Sequence, residues 1–488
     1  MQLTVALKSQ DPIGLANLAE AVSTPGSPLF RHDIDVAQFS QRFGATSAQV
    51  ATVRAALEAQ GLAVGAPTAN DLTLPVSGTA TQVDQAFATS LSQVKLPGGR
   101  TAYANTQAPS VPAGVAQYVE GIIGLDSIAL DQPQQVGSGP ARQARTTGTA
   151  GGVPAVSPAQ VVTGGPRPCE AARKTPERLG GGSTADQIAT AYQLPGLYAA
   201  GDFGAGQTIA LFEQQAFSES DIAAYQACYG TSALVTTINV AGGPEPLSAE
   251  DIEPALDIEQ VIGLAPQARV LVYQGPIEQE IAPISIISRI VSDDAAKVIS
   301  TSWGLCEAHT FPEVMRAENT LLQEAAVQGQ SFFAASGDSG SEQCEQSEEP
   351  GEEDLELSVL NPASQPFATG VGGTSLYSLD SEGEKVFPYD GTLPPAEGVW
   401  NDGARSEEFG GTGGGVSEQW AMPSYQSSAA ATVSIFREGE SSGVPCGNTS
   451  GLCRQVPDVA ADADPETGYV VFVDGSLPHG GWTVVGGT

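Results

Sequence analysis

Three carboxylic acids in this 488-residue chain have the types and spacing needed for proton transfer. Glu253 and Asp257 are four residues apart in AEDIEPALDIEQ, and Asp338 follows in SFFAASGDSGS. Histidine, the other common acid–base residue, is scarce. The chain has only three, none in a short motif typical of catalysis: His32, His309 and His479. The pattern therefore predicts a hydrolase whose proton transfers are carried out by carboxyl groups, with a pH optimum below neutral.

Glu253 and Asp257 fall within a predicted helix, where side chains four residues apart share a face. Two like charges at that spacing repel each other, so a structural helix more often pairs a carboxylate with lysine or arginine. In a cleft, the pKa of one carboxyl would rise, and it could serve as a general base hydrogen-bonded to the other. A solvated acidic helix face is the alternative interpretation, and Glu259 lies on a different face.

Asp338 follows an apolar run predicted to be a strand and lies in a Gly-Asp-Ser-Gly turn. A carboxyl at a strand end is well positioned for function. One alternative is an Asp that stabilises its own turn through side-chain hydrogen bonds. Another is the Asp-Ser-Gly of a pepsin-like aspartic protease, but that enzyme needs a second such motif in an all-β lobe, and the chain has none.

Short apolar runs alternate with helical segments in the second part of the chain. The runs are typical of buried parallel strands and cover residues 208–213, 269–274, 297–303 and 331–336. A helical pattern between the last two ends at Gly329, where helix C-termini favour glycine. The alternation predicts a doubly wound α/β sheet. Sites in such sheets form at the carboxyl ends of strands, so Asp338 and residues 302–304 are expected at one edge.

The composition divides the chain into three segments. Residues 1–131 contain no cysteine and mix strands with amphipathic helices at 36–43 and 47–60, which indicates a small α+β domain. Residues 132–182, rich in Gly, Pro, Ser, Thr and Gln, predict a flexible linker, and residues 183–488 a larger α/β domain. The linker's basic residues are expected to be exposed to proteolysis: Arg142, Arg145, Arg173, Lys174 and Arg178.

The net charge is strongly negative and unevenly distributed. The chain has 20 basic and 56 acidic residues, a formal net charge of −36, yet the segment up to Arg145 contains only 8 basic and 10 acidic residues. Such a surface argues against nucleic acid and anionic membranes as partners, since both are polyanions. Solubility explains the excess, and so does adaptation to acid, where protonated carboxyl groups repel one another less.

All six cysteines follow residue 145 without any CxxC spacing, which favours disulfides, and an oxidising compartment, over zinc. Cys446 and Cys453 could pair locally, while Cys306 and Cys344 could join two neighbouring loops. The chain lacks an apolar run of 18 residues that would span a membrane. Its first residues, MQLTVALKSQDP, show no signal peptide, in conflict with the secretion that the cysteines suggest.

Several motifs occur together and in order: Glu253-x-x-x-Asp257, STSWG, SFFAASGDSGS, GGGVS, RQVPDVAADADPETGY and the closing TVVGGT. In this combination the chain resembles the sedolisin family of serine-carboxyl peptidases and is kumamolisin-like. The first region, with QFSQRFGATSAQVATVRAALEAQGLAV, resembles the activation prodomain of that family. The resemblance implies a subtilisin-like doubly wound parallel sheet preceded by a ferredoxin-like α+β prodomain.

The resemblance also implies where the protein acts, on what substrates and how it is inhibited. It indicates a secreted, monomeric zymogen that acts in acid on peptide or protein substrates, as an endopeptidase or tripeptidyl-peptidase. Its own prodomain is the expected intramolecular inhibitor, and self-processing is expected within the linker. A calcium ion is expected for the family at a site downstream of this chain, and no metal site is expected within it. Asp462 and Asp464 fit no complete calcium loop, so we interpret them as structural.

Residue by residue, the resemblance matches Glu253 to the general base and Asp257 to its hydrogen-bonded partner. Asp338 matches the acid that donates to the developing oxyanion. The chemistry is coherent, because a carboxylate remains a base at a pH where imidazole is protonated. A neutral carboxylic acid can also donate a hydrogen bond where a carboxylate would repel the oxyanion. A subtilisin-type triad would instead need a helix-borne histidine, which the sequence does not show.

Three further matches concern the substrate. Ser302, Trp303 and Gly304 resemble the strand along which the substrate backbone lies, and Glu213 is expected to extend the hydrogen-bond chain behind Asp257. The family's nucleophilic serine would directly follow Thr488, so we expect this chain to be an inactive fragment of an active peptidase. The alternative is a non-catalytic peptide-binding homologue that retains the groove without the nucleophile.

Overall fold

A computed structural model shows two regions of different sheet architecture, one antiparallel and one mainly parallel. The residues that it describes are 1–96, 99–137, 162–248, 251–277, 279, 281–344, 357–386, 389, 391, 393–402, 410–429, 446, 452–474 and 481–488. His479 and two of the linker's basic residues, Arg142 and Arg145, lie outside them. Within these residues no helix combines the length and apolar character needed to cross a membrane.

The N-terminal region is an antiparallel sheet with helices packed on it. Its strands are β1 (Gln2–Leu7), β2 (Ala63–Val64), β3 (Thr73–Ser77), β4 (Leu91–Lys95), β5 (Thr101–Asn105) and β6 (Val119–Ile123). Its helices are α1 (Pro12–Ser23), α2 (Val36–Phe43), α3 (Ser47–Ala59) and α4 (Ala80–Phe87). The strand order is β2-β3-β1-β6, with β4 and β5 forming a hairpin. With α3 and α4 as the crossovers, this is the ferredoxin-like arrangement that was expected.

Local signals in the sequence explain where these helices begin. Reciprocal capping boxes, in which the N-cap side chain and a glutamine three residues later satisfy each other's backbone N–H groups, start α2, α3 and α4. Asp35, Thr46 and Thr79 are the three N-cap residues. Of the two helices predicted here, the one over 36–43 has the predicted bounds, and the other ends one residue early.

The remaining elements cover the rest of the chain. The helices are α5 (Glu170–Arg173), α6 (Thr175–Leu179), α7 (Ala185–Ala191), α8 (Pro195–Ala200), α9 (Glu219–Tyr229), α10 (Glu253–Leu264), α11 (Ile281–Asp293), α12 (Pro312–Val327) and α13 (Ser424–Ala429). The strands are β7 (Gln132–Pro133), β8 (Val136–Gly137), β9 (Thr208–Glu213), β10 (Val235–Asn239), β11 (Arg269–Gln274), β12 (Val298–Thr301), β13 (Trp303–Cys306), β14 (Ser331–Ala335), β15 (Leu360–Asn361), β16 (Thr369–Leu379), β17 (Lys385–Val386), β18 (Pro395–Val399), β19 (Gly415–Ala421), β20 (Cys453–Val456), β21 (Val459–Asp462), β22 (Tyr469–Val473) and β23 (Gly481–Gly486).

The large sheet is doubly wound, as predicted. Its order is β10-β11-β9-β12-β14-β16-β17, and β10 to β16 along this path are parallel. Alternate residues of β9 enter different cores: Phe212 packs with α11 and α12, and Leu211 packs with α9 and α10 on the other face. The winding reverses at β9, so the carboxyl ends of β9 and β12 border the topological switch point. This is the subtilisin-like α/β fold.

The strand predicted over 297–303 is wrong in its last part. The parallel strand β12 ends at Thr301, and β13 begins at Trp303 in a separate antiparallel sheet with β7 and β15. The chain turns at Ser302, where the Trp303 N–H donates to the Thr301 Oγ1 at 3.1 Å. The turn releases Trp303 and Gly304 from the large sheet and leaves their backbone able to pair with another segment.

The flexible linker predicted over 132–182 is also too long. At its start, β7 and β8 pair with strands of the larger region, and at its end α5 and α6 form regular helices. Arg173 lies in α5 and Arg178 in α6, where the Arg178 side chain donates to the Trp482 carbonyl at 2.5 Å. These two residues therefore lie in helical backbone, which is a poorer protease target than an extended linker.

Three disulfides connect the described cysteines: Cys169–Cys228, Cys306–Cys344 and Cys446–Cys453. The second and third are the two pairings suggested by the sequence. The Cys306–Cys344 bond joins the end of β13 to the loop that follows β14. It links two loops at the same edge of the large sheet.

One of the hydrophobic cores contains side chains from both regions. Leu15 of α1 and Phe39 of α2 pack in the same cluster as Leu321 and Leu322 of α12. Polar contacts cross the boundary as well: the Asn70 Nδ2 donates to the Glu324 Oε2 at 2.7 Å in a buried environment. The ferredoxin-like region is therefore docked on the larger one through α12.

Candidate active site

Three carboxyl groups meet at the carboxyl ends of the central parallel strands. Glu213 is the last residue of β9, and Glu253 and Asp257 lie on successive turns of α10. Glu213 and Glu253 are fully buried. Asp257 is held by Ser302, whose Oγ donates to both carboxylate oxygens, at 2.8 and 3.0 Å. The strand end, the helix and the turn after β12 thus bring this carboxyl group cluster together at the switch point.

The members of the cluster affect one another's protonation. Since the Ser302 hydroxyl is directed to Asp257, neither carboxylate oxygen of Glu253 accepts a hydrogen bond within the described residues. Burial raises the pKa of Glu253 well above its usual range, the charges of Asp257, Glu213 and Asp338 raise it further, and the nearby Ser302 hydroxyl lowers it. Burial raises the pKa of Asp257 to about 6, although the Ser302 hydroxyl lowers it. One protonated member can donate to an ionised neighbour, so the cluster titrates as a unit.

Trp303 connects this cluster to the strand that follows. Its indole Nε1 donates to the Glu213 Oε2 at 2.9 Å, and its side chain is fully buried. Burial, then the charge of Asp257, raises the pKa of Glu213, and the Trp303 hydrogen bond lowers it. Because Trp303 is the first residue of β13, this hydrogen bond links the position of the strand to the charge of Glu213.

Asp338 lies across from the carboxyl group cluster, in the turn that follows β14. Its Oδ1 accepts hydrogen bonds from the Thr488 backbone N–H at 2.8 Å and from the Thr488 hydroxyl at 3.1 Å. Its Oδ2 is buried and has no partner among the described residues. Burial raises the pKa of Asp338 to about 7, so below neutral pH the carboxyl is protonated and able to donate.

An extended segment of the chain lies between these groups. Strand β7 pairs antiparallel with β13, with Pro133 opposite Trp303 and Gln132 opposite Gly304. Strand β8 then pairs antiparallel with β23, the strand that leads to Thr488. Residues 132–137 therefore occupy the groove in the manner of a bound peptide, with the backbone recognised on both sides of the centre.

The N-terminal region matches a known family. The family profile described as "Pro-kumamolisin, activation domain" matches residues 1–128. Beyond this region, the chain is 31% identical to kumamolisin of Bacillus sp. (strain MN-32) across 95% of this chain and 73% of that protein. The chain belongs to the sedolisin family of serine-carboxyl peptidases.

Other sedolisin-family proteins show similar coverage. Sedolisin of Pseudomonas sp. (strain 101) is 29% identical over 99% of this chain and 73% of its own length, and tripeptidyl-peptidase 1 of Bos taurus is 26% identical over 95% and 73%. A solved structure of Pseudomonas sedolisin, complexed with two molecules of pseudo-iodotyrostatin, has 26% identity and a TM-score of 0.47, and covers 63% of this chain and 76% of that one. By family, the chain is a serine-type peptidase with an N-terminal prodomain.

In this sedolisin-family chain, the residues singled out from the sequence come together in two sets. Glu253, Asp257 and Ser302 form one set on the α10 side, and Asp338 stands on the other side of the groove next to Thr488. Trp303 and Gly304 line the groove as part of β13. Sequence spacing alone brings together only the two carboxyls of α10, because all the other contacts connect residues distant in the chain.

Two features of the site were missed in the sequence. The composition of residues 132–137 predicts a linker, although they lie in the groove, and no local signal distinguishes them from the rest of the segment. The Ser302 contact with Asp257 was also missed, since Ser302 was matched to the substrate strand alone. A polar residue directly after an apolar run, at the carboxyl end of a predicted strand, was the available signal.

The described residues offer little for a metal ion. One group has suitable spacing, Cys306, His309 and Cys344, but both sulfurs are used in a disulfide. Asp462 accepts from the Leu376 N–H and the Thr467 hydroxyl at 3.1 and 2.6 Å. Asp464 accepts from the Ser375 hydroxyl and the Glu466 N–H at 2.6 and 2.7 Å. Both oxygens of Asp464 and the Oδ1 of Asp462 are therefore hydrogen-bonded, while the Asp462 Oδ2 is buried without a partner among the described residues.

Proposed function

We propose that this protein is an acid-acting serine-type endopeptidase made as a zymogen, in which carboxyl groups replace histidine. The observation that carries the proposal is the placement of the Glu253–Asp257 pair and of Asp338 on opposite sides of a groove that holds an extended peptide segment. A nucleophile between them would have a proton acceptor on one side and a hydrogen-bond donor on the other. By family, that nucleophile is a serine.

In the proposed mechanism the carboxyl group cluster has first lost one proton, and the ionised Glu253 takes the proton of the serine hydroxyl as the hydroxyl attacks the peptide carbonyl. Asp257 then shares the proton, since the two carboxyls are close enough to exchange a hydrogen bond. Glu213 and the Trp303 N–H form the outer end of this chain and hold the charge in place. The same proton is finally transferred to the leaving amine, so the cluster ends in its initial state.

Asp338 is the proposed hydrogen-bond donor, whereas Glu253 is the proton acceptor. While protonated, its free Oδ2 can donate to the negative oxygen that forms on the attacked carbonyl. As the pH rises through about 7, this carboxyl ionises, donation stops and the charge opposes the oxyanion. We therefore expect activity in acid and its loss toward neutral pH.

The prodomain is proposed to inhibit the enzyme in two ways. It docks on α12 through the shared core, and residues 132–137 fill the groove. These residues, 132–137, form a tail that is covalently continuous with the docked prodomain, so the effective concentration of the tail at the groove is high. Cleavage of the tail would lower that concentration and permit release, which is the expected self-processing step.

The proposal extends to partners and location. The substrates are peptides or unfolded proteins, the enzyme is a monomer, and secretion agrees with the three disulfides. Nucleic acid and membranes are not proposed as partners, given the acidic surface. Calcium, implied by the resemblance, is not assigned to the described residues, because the one group among them with metal-ligand spacing, Cys306, His309 and Cys344, has both sulfurs in a disulfide.

The test is turnover by the full reading frame, expressed to its natural stop codon. The protein is incubated with an unfolded protein substrate between pH 3 and 8, and new termini are identified by mass spectrometry. Cleavage that is strongest in acid and lost in Glu253→Gln supports the proposal. Binding of the substrate without any cleavage over this range would favour the alternative, a non-catalytic peptide-binding homologue.

A further inference from the structure

The position of the tail in the groove is defined residue by residue. Gln132 and Pro133 pair with Gly304 and Trp303, and the Gln134 N–H donates to the Ser302 carbonyl at 2.7 Å. Ser302 is the same residue whose hydroxyl holds Asp257. The backbone of the tail is thus fixed up to Gln134 by the strand that begins at the carboxyl cluster.

The second set of contacts fixes the tail beyond this point. Val136 lies opposite Gly486 and Gly137 opposite Val485 in an antiparallel pairing with β23. Only a short stretch, Gln135 with its two flanking peptide bonds, lies between the two pairings. It is therefore the part of the tail that crosses from one side of the centre to the other.

Gly487 shows how closely that stretch approaches the site. A Cβ at this glycine would contact the Gln134 carbonyl oxygen and lie 2.8 Å from the Gln135 Cα and 2.9 Å from the Asp338 Oδ2. Its φ of +122° is also one that glycine adopts far more readily than other residues. The Gln134 carbonyl is therefore next to Asp338 and to the backbone that leads into Thr488.

We propose that Gln134–Gln135 is the peptide bond at which the protein processes itself, an assignment that rests on the proposed function. The serine oxygen bonds to the Gln134 carbonyl carbon, the C–N bond to Gln135 breaks, and Glu253 passes the serine proton to the Gln135 nitrogen. Water then attacks the ester, which frees the serine and leaves a carboxylate at Gln134. The net change is the addition of one water molecule across one amide.

The same register indicates which peptides the groove accepts. Gln134 is only 4% exposed, and its Nε2 donates to the Gln132 carbonyl of the tail itself at 3.0 Å. Three residues earlier, the Asp131 Oδ2 accepts from the Gln214 Nε2 at 3.0 Å. The amide before the cleaved bond is thus bonded within the tail, whereas the acidic residue three positions upstream is held by Gln214. The preferred substrate class therefore carries a hydrogen-bonding acidic residue at that upstream position.

The experiment uses the full reading frame, purified as the zymogen and transferred to pH 4. Intact-mass and peptide mass spectrometry identify the first new termini. The expected products end at Gln134 and begin at Gln135, at a first-order rate that is independent of protein concentration. A first cut at any other bond in the zymogen would overturn the assignment, even if the protein hydrolyses added substrates.

A variant at the leaving residue sharpens the test. Gln135→Pro leaves the hydrogen bond of the Gln134 N–H and the β8 pairing in place, but its rigid tertiary amide is a poor fit to the reacting geometry. We expect processing to slow by about 100-fold. The matched control, Gln135→Ala, should process within a few-fold of the natural chain. Equal rates for the two variants, with both folded by circular dichroism, would contradict the assignment.

A synthetic peptide separates failure of the inference from failure of the proposed function. The peptide ALDQPQQVG, residues 129–137, is offered to the processed enzyme at pH 4 beside an unfolded protein substrate. Cleavage between its second and third glutamines supports both. Hydrolysis of the protein without cleavage of the peptide at that bond overturns the inference alone, and hydrolysis of neither overturns the proposed function and the inference with it.

Discussion

Two sets of carboxyl groups, one in the groove and one on α12, are both largely buried but have different partners. In the groove, Glu213, Glu253 and Asp257 face one another. The nearby Ser302 hydroxyl is directed to Asp257, and neither oxygen of Glu253 has a hydrogen-bond partner among the described residues. On α12, Glu318 accepts from the Asn361 amide and Glu324 from the Asn70 amide, each at 2.7 Å. Burial raises the pKa in both sets.

The difference shows that a raised pKa does not by itself identify a catalytic group. On α12 an amide donor binds each carboxyl and fixes it in one orientation, as in a structural network. In the groove, a carboxyl without a donor beside other carboxyls can exchange a proton with them, and it lies next to an extended backbone. A shortage of donors at a peptide-binding edge is therefore a better indicator of acid–base chemistry than burial.

The largest effect should follow from removal of the proton acceptor. Glu253→Gln keeps the shape of the side chain but cannot accept the serine proton, so kcat/KM should fall by about 10²–10⁴-fold. The measurement is steady-state hydrolysis of a peptide at pH 4. Glu245→Gln, at an exposed glutamate, is the matched control and should retain activity. A fall of less than tenfold in Glu253→Gln would show that the two sets of carboxyls do not differ as argued.

Asp338 should give the next largest effect. Asp338→Ala removes the oxyanion donor, and kcat/KM should fall by about 10²–10³-fold. In the natural chain, kcat/KM should decline as the pH rises through about 7, where Asp338 loses its proton. Asp338→Asn retains an amide donor that does not titrate, so this decline should be absent although the maximum is reduced. An unchanged alkaline limb in Asp338→Asn would assign the decline to another group.

Asn70→Ala probes the α12 set through stability. Burial raises the pKa of Glu324 and the Asn70 amide lowers it, so loss of the amide disfavours the ionised form. A raised pKa means that the folded zymogen loses stability as the pH rises above the usual range of a glutamate. The variant should therefore lose about 1–3 kcal/mol at pH 7 and less at pH 4, measured by denaturant unfolding. Asn105→Ala, on the β4–β5 hairpin, is the control.

Asn70→Ala also tests whether the carboxyl groups on α12 are structural and take no part in the reaction. The processed Asn70→Ala enzyme should hydrolyse peptides as the natural enzyme does, because Asn70 belongs to the prodomain and is absent from the groove. If its kcat/KM for a peptide changed more than a few-fold after processing, the α12 set would have a role in the reaction. The contrast between the two sets would then be lost.

The smallest effect is expected at the indole of Trp303. Trp303→Phe keeps most of the buried surface but removes the donor to Glu213, a hydrogen bond that lowers the pKa of that group. The acid limb of the kcat/KM profile should move to higher pH, and the maximum should fall by less than about tenfold. A shifted limb with a nearly constant maximum distinguishes this positioning role from loss of the fold. An unmoved limb would remove Glu213 from the titrating cluster.

Sequence reasoning succeeded where the signal is local. The strands over 208–213 and 269–274 have the predicted bounds, because an apolar run flanked by polar turns determines them. It also identified Glu253 and Asp257 as a pair on one helix. It failed for residues 132–137, since their pairing partners are more than 160 residues away and polar composition says nothing about an edge strand provided by another segment. The turn at Ser302 was not predicted either, because β13, which begins after it, pairs with segments that are distant in the chain.

The Cys306–Cys344 bond has a consequence for a molecule that works in acid. It fastens the end of the peptide-binding strand to the loop that follows Asp338, so the two walls of the groove are cross-linked. Ion pairs weaken as carboxylates gain protons, and a side chain such as Asp338 changes its bonding as it titrates. A sulfur–sulfur bond has no proton to gain or lose. The width of the groove is thus set by a linkage that is indifferent to the pH at which the carboxyl groups change their state.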